Sequence, residues 1–253
     1  MAKKYVLITG GAGKLGTDIC KVFNKNKINL IILDNDEKKL KILKNKLSGD
    51  NFYCSLDIAN QKELINFCKT NLKKYLKNNH LLGLIHNARP YLSLNSVEKS
   101  FDEWDLASSV ILKSAAILAH YSLSFLKKSK GNIVNIGSTN SSFISEQPIV
   151  YTVFKSALVH LTSWQAVYYG HMNIKSNLIS PCLISSKKES KKEKKINSKS
   201  IPLKKKTNIS EISLSIFNLI TNKFPNLTGN NIVIDGGMTL IDHNYLIKRL
   251  DEK

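Results

Sequence analysis

Residues 5–18 read YVLITGGAGKLGTD. The run from Tyr5 to Ile8 is β-favouring and apolar, the turn after it holds Gly10, Gly11, Gly13 and Gly16, and LGTDICKVF restarts with helical spacing. The order is strand, glycine turn, helix. Such a turn either cradles a phosphate or only lets a strand and a helix pack closely, and glycine alone does not decide between the two. Its context favours the cradle. The turn belongs to the first unit of the chain and opens a helix whose N-terminal amides can receive a pyrophosphate. An acid, Asp34 in LIILDND, closes the next apolar run 18 positions after Gly16, which suits a carboxylate accepting hydrogen bonds from adenosine ribose hydroxyls. A 2′-phosphate there would meet like charge, so NAD is favoured over NADP. Lys14, within reach of a phosphate, keeps NADP(H) open. Asp34 has two other readings, a surface acid or the N-cap of the following helix.

Outward from this unit, short apolar runs at 5–9, 28–33, 51–54, 82–86, 131–136, 174–179 and 230–234 alternate with helical patterns near 15–26, 36–47, 60–77, 98–127, 149–170 and 209–222. This alternation predicts a single doubly wound α/β domain of Rossmann type over residues 1–253, with a parallel sheet of about seven strands. Ligands bind beyond the carboxyl ends of the strands in such sheets. A charged insertion at 183–206 would emerge there after the sixth strand, as a lysine-rich substrate lid.

The chain carries 38 Lys and Arg against 19 Asp and Glu, a formal charge of +19. The lysines are spread over nearly every expected helix, and only 187–206, KKESKKEKKINSKSIPLKKK, is dense. That block reads as a solvated loop or an anion-attracting lid, and neither nucleic acid nor membrane is expected as a partner. Cys20, Cys54, Cys68 and Cys182 form no CxxC pair. The six histidines are scattered, so no metal is expected. MAKK runs straight into a strand and no apolar run reaches the roughly 20 residues that span a bilayer. A cytoplasmic protein in a reducing compartment is expected. Trp164, Tyr168 and Tyr169 follow helical spacing and suit core or subunit packing better than base stacking.

Residues 131–155 read GNIVNIGSTNSSFISEQPIVYTVFK. Tyr151 and Lys155 stand four apart in a helical segment and share one face. A tyrosine works as an acid–base near neutrality only if its pKa of about 10 falls by roughly 2–3 units, or about 3–4 kcal/mol. A neighbouring ammonium is the natural source of that shift.

With a serine 13 residues before Tyr151, the glycine turn, LDIA at 56–59, HNA at 86–88 and IDGG at 234–237, the chain resembles the classical short-chain dehydrogenase/reductase family over nearly its whole length. The resemblance implies a dehydrogenase or reductase acting on CH–OH and C=O groups. Ser138 would polarise the substrate carbonyl. Tyr151 would give or take the proton, and Lys155 would bind the nicotinamide ribose while depressing the tyrosine pKa. It also implies cofactor contacts from Gly10, Gly13, Lys14, Leu15 and Gly16 at the turn, with Asp34 after them. Asp57 and Ile58 would follow at the adenine, Asn87 and Ala88 at the pocket wall, and Pro181 and Ile184 beyond the sixth strand. Within the family, TGGAGKLG, HNARP and HLTSWQAVYYGHMNIKSNLISP look most like bacterial oxidoreductases of flagellin-modification and nonulosonate pathways, implying a sugar-derived or acidic small-molecule substrate. A homo-oligomer, dimer or tetramer, built on the helices at 98–127 and 149–170 is implied as well.

The pattern departs from the family at four places. The usual middle glycine of the turn is Lys14, the glycine closing the NNAG motif is Arg89, and the glycine after Pro181 is Cys182. The helix that normally brings a catalytic asparagine has Ile111 there, or Val110 if shifted. Ser114, Ser109 or another water route would then continue the proton relay, or the chain is a catalytically weakened dinucleotide-binding subunit or redox-sensing partner. Arg89 suits a substrate carboxylate or phosphate, and equally a structural salt bridge or a pyrophosphate contact.

Overall fold

A computed structural model describes residues 2–93, 102–144, 146–182, 184 and 190–251. Seven strands, β1 (Lys4–Thr9), β2 (Asn29–Asp34), β3 (Phe52–Ser55), β4 (His80–His86), β5 (Asn132–Ile136), β6 (Lys175–Pro181) and β7 (Asn231–Ile234), form one sheet in the order β3-β2-β1-β4-β5-β6-β7. Every pairing is parallel. The chain winds outward from β1 in one direction, then returns to lay β4 on the other side of β1. This reversal opens a crevice at the carboxyl ends of β1 and β4.

Strand side chains alternate between two apolar layers. Tyr5 and Leu7 of β1, with Ile31, Leu33, Leu84 and Ile133, face one layer. Val6 and Ile8, with Leu30, Ile32, Ile85 and Val134, face the other. The second layer is closed by Ile19 and Phe23 of helix α1 (Lys14–Lys25), Leu40 and Leu43 of α2 (Glu37–Lys44), and Ile212, Ile216 and Ile220 of a helix at Ile209–Ile220. The first is closed by α3 (61–76), which passes through a π turn at Cys68–Leu72, and α4 (Asp102–Ser129), with a π turn at Ser108–Lys113. Helix α5 (Ile149–Gly170) lies beside α4 and packs Leu158 against Leu178 of β6 in a third, smaller cluster. By length and composition α4 could cross a membrane. Here it is a core helix, with Leu118, Ala119 and Leu126 fully buried.

Of the expected helix at 98–127, residues 98–101 lie outside the described residues, as do 183 and 185–189 of the expected lid. The rest of that charged block is ordered differently from a loop: helix α6 spans Lys191–Ser200. Lysine and glutamate are good helix formers, and Asn197 and Ile201, four apart, are both buried. Helix α7 (Ile209–Ile220) follows behind a capping box, Asn208 with Glu211. The C-terminal residues form α8 (His243–Asp251), packed against α6 and opened by Asp242, which accepts from the Tyr245 amide at 3.0 Å.

Candidate active site

At Gly10 and Gly16 the glycine turn is shaped by contacts that no larger residue would permit. A Cβ on Gly16 would lie 2.1 Å from the Gly10 carbonyl oxygen, and Gly10 itself has a φ of +62° with Ala88 Cα 2.9 Å from where its Cβ would be. Backbone of α1, the turn and the β4 end therefore meet at van der Waals distance. Gly13 is the N-cap of α1, offers no side chain to the first-turn amides, and no acid stands in that turn. A helix N-terminus without a side-chain cap leaves its first-turn amides available to an anion.

Asp34 ends β2 beside this turn. One of its oxygens accepts from the Ala12 amide at 2.9 Å and the other from the Asp36 amide at 3.0 Å. It thus braces the turn, and each oxygen keeps a lone pair for a ribose hydroxyl. It does not cap α2, a role taken by Asp36, which accepts from the Lys39 amide. Asp36 also pairs with Lys39 at 2.8 Å. On the other side of β1, Asn87 donates through Nδ2 to the carbonyls of Gly10 and Thr9, at 2.9 and 3.2 Å. The Thr9 hydroxyl accepts from the Asn87 and Ala88 amides. These bonds tie the end of β4 to the glycine turn.

A cavity of about 740 Å³ runs from Asp34 and Asp57 across the turn to Tyr151 and Lys155. Every residue expected to touch a cofactor lines it: Gly10, Gly13, Lys14, Leu15 and Gly16 at the turn, Asp34, Asp57 and Ile58 at one end, Asn87 and Ala88 in the middle, and Tyr151, Lys155, Pro181 and Ile184 at the other. Arg89 lines it as well. Sequence reasoning missed Lys39, Gly137 and Ile209, which also form its walls. Only Lys39 left a signal, as a cation five positions beyond Asp34. The others are apolar or glycine residues whose place depends on the tertiary fold.

Tyr151 is 8% exposed. Its hydroxyl has no hydrogen-bond partner among the described residues. Lys155 is 3% exposed, donates to the Ile136 carbonyl and holds its ammonium 5.6 Å from the centre of the Tyr151 ring. Burial, and then the charge of Arg89, lower the Lys155 pKa to about 7. The Arg89 guanidinium lies 5.0 Å from the same ring centre. The tyrosine is therefore flanked by two cations.

Ser138 does not join them. It is buried, does not line the cavity, and caps a 3-10 turn at Thr139–Ser141. Its hydroxyl donates to Asn140 Oδ1 at 3.0 Å and accepts from the Asn140 amide at 3.2 Å. Its neighbour Gly137 reaches the cavity instead. Ile111 is fully buried in the cluster with Ala107, Val150 and Tyr151, while Val110 faces the cavity. Ser114 is unsuited to a relay. It is fully buried, donates to the Val110 carbonyl at 2.7 Å and receives His86 Nε2 at 2.7 Å. Burial, with the Lys155 charge behind it, holds the His86 pKa down to about 3, so His86 is neutral and its Nε2 carries the proton.

Residues 11–239 match the family model described as enoyl-(acyl carrier protein) reductase, a short-chain dehydrogenase group. The chain belongs to the short-chain dehydrogenase/reductase family. An oxidoreductase of Thermotoga maritima is 27% identical over 251 residues, covering 94% of this chain and 96% of its own. Glucose 1-dehydrogenase 2 of Bacillus subtilis is 24% identical over 252 residues, covering 94% and 95%. A short-chain dehydrogenase from Leptospira borgpetersenii, solved with bound NAD+, superposes with a TM-score of 0.80 at 26% identity, over 94% of each chain. As a member of this family the chain is a dehydrogenase or reductase acting on CH–OH and C=O groups, with an NAD(P)-binding Rossmann fold.

Proposed function

We propose that this short-chain dehydrogenase/reductase is an NAD(H)-dependent, cytoplasmic oxidoreductase that interconverts a secondary alcohol and a ketone on a small polar substrate, sugar-derived or acidic. The observation that carries the reading is the cavity in which Tyr151, whose hydroxyl has no partner among the described residues, and the buried Lys155 lie across from the glycine turn and Asp34. Bound NAD(H) supplies the hydride at the nicotinamide C4. Tyr151 gives or takes the proton of the substrate oxygen, and Lys155 holds charge beside it and donates to the nicotinamide ribose. Solvent exchanges protons with this pair through the cleft, because the Ser114 route ends at a buried carbonyl. Ser138 orients the substrate carbonyl once its hydroxyl leaves Asn140, at a cost of about 1 kcal/mol for one hydrogen bond.

Three features favour NADH over NADPH: the Asp34 carboxylate, the Asp36 carboxylate beside it, and the commitment of Lys39 to Asp36. The sugar-derived substrate rests on the sequence resemblance to bacterial surface-sugar oxidoreductases and on the glucose dehydrogenase relative. A homo-oligomer is built on α4 and α5, where Trp164, Val167 and Tyr168 are exposed and Trp164 stacks on Tyr168 with ring centres 4.2 Å apart.

Tyr151→Phe tests the chemistry. It is expected to lower kcat by at least a thousandfold while NADH affinity, followed by nicotinamide fluorescence, stays within about threefold; retained turnover would refute the role given to Tyr151. A second reading, a dinucleotide-binding subunit without turnover, is favoured by the Ser138–Asn140 bond and the apolar Ile111. NADH binding by the native chain with no ketone reduced or alcohol oxidised would support it.

A further inference from the structure

Arg89 lies three residues beyond the end of β4, over the Tyr151 ring and 5.0 Å from its centre. Its guanidinium carries five N–H donors in a planar fork that matches a carboxylate or phosphate. No carboxylate among the described residues pairs with Arg89. The acids of the same cavity stand at the ends of β2 and β3: Asp34 closes β2, Asp36 follows it and Asp57 follows β3. Those strands stand two and three places from β4 in the sheet, roughly 10 Å or more at ordinary strand spacing. Each acid is already engaged: Asp34 by the Ala12 and Asp36 amides, Asp36 by Lys39, and Asp57 by the Ala59 amide at 2.9 Å. The acid end of the cavity carries three carboxylates beside Lys14 and Lys39, whereas the end around the reacting tyrosine carries Arg89 and Lys155.

We propose that Arg89 determines substrate specificity, holding a carboxylate or phosphate that the substrate carries close to its reacting carbonyl. This inference rests on the oxidoreductase reading above. A carbonyl oxygen on the Tyr151 hydroxyl and an anion on the Arg89 edge leave room for only a short spacer, as in an oxo acid or a phosphorylated keto sugar. Two like charges beside one phenol also repel, and an anion at Arg89 relieves that repulsion; Arg89 is the second cause, after burial, of the low Lys155 pKa. The same edge chemistry would suit a phosphate of the cofactor, so the test separates the two sources.

The enzyme is first titrated with NADH, and the NAD+-loaded enzyme is then titrated with acetoacetate and with methyl acetoacetate, which carry the same ketone with and without the charge. With NAD+ in place no hydride is available, so the titration reads binding alone, by calorimetry or saturation-transfer NMR. Acetoacetate is expected to bind at least tenfold more tightly than its ester. Arg89→Gly is expected to erase that preference and Arg89→Lys to keep part of it, with NADH affinity unchanged in both. Equal binding of the two ketones by the native enzyme would overturn the inference. So would a preference that survives Arg89→Gly while NADH affinity drops tenfold, which would assign Arg89 to the cofactor. Failure of the native chain to bind NADH at the outset would sink the oxidoreductase reading and the inference with it.

Discussion

Lys155 sits where its charge is most costly, 3% exposed and beside a second cation, and its pKa falls from the usual lysine value to about 7. The unfolded chain has an ordinary lysine, near 10.4. Between about pH 7 and 10 the folded state therefore binds fewer protons than the unfolded state, and stability rises with pH in that window. From pH 7 to 8.5 the native chain without cofactor should gain on the order of 1–2 kcal/mol relative to Lys155→Met, read from urea midpoints at the two pH values. A flat difference would mean that Lys155 is solvated and its charge costs little. At this scale the sequence showed the pairing of Tyr151 with Lys155, because a spacing of four on a helix fixes a shared face. It could not show where the Ser138 hydroxyl points. That depends on Asn140, two residues on, which closes a local turn around it.

The glycine turn works as an element because its parts are in contact. Gly16 meets the backbone of Gly10 and Gly11, and a methyl there would stand 2.1 Å from an oxygen that cannot move without shifting β1. Gly13 meets only the Gly10 oxygen, at 3.3 Å, from an ordinary φ of −66°. Gly16→Ala should destabilise the chain by about 2–4 kcal/mol and abolish NADH binding, whereas Gly13→Ala should stay within about 1 kcal/mol of native stability. Comparable losses from both in thermal unfolding would contradict this account of the turn. The strand–turn–helix order was legible because hydrophobic period changes from two to 3.6 across it. The π turn of α4 was not, since it is an irregularity of backbone bonding inside one continuous apolar pattern. Helix α6 was missed for another reason. Its lysines resemble those of a solvated loop, and the Asn197 and Ile201 positions that bury against the fold are too few to stand out.

Across the whole molecule, the order of the seven strands was legible only as a class. Alternating apolar runs and helical patterns demand a doubly wound parallel sheet, and the register then follows from burying Tyr5 and Leu7 on one side and Val6 and Ile8 on the other. The polarity of the cleft was not legible, because it arises from strand order. The three acids at the ends of β2 and β3, with Lys14 and Lys39 near them, and the basic residues Arg89 after β4 and Lys155 on α5 are distant in sequence and become opposite ends of one cavity. The central claim is that this cavity is a selective NADH site with its chemistry at the cationic end. Its most direct test is the equilibrium affinity for NADH and NADPH, each followed by nicotinamide fluorescence at one fixed salt concentration. Micromolar binding of NADH with NADPH at least tenfold weaker is the predicted result, and Asp34→Ala should erase the difference. Equal or tighter binding of NADPH by the native chain would contradict the role of Asp34, and no binding of either would contradict the site itself.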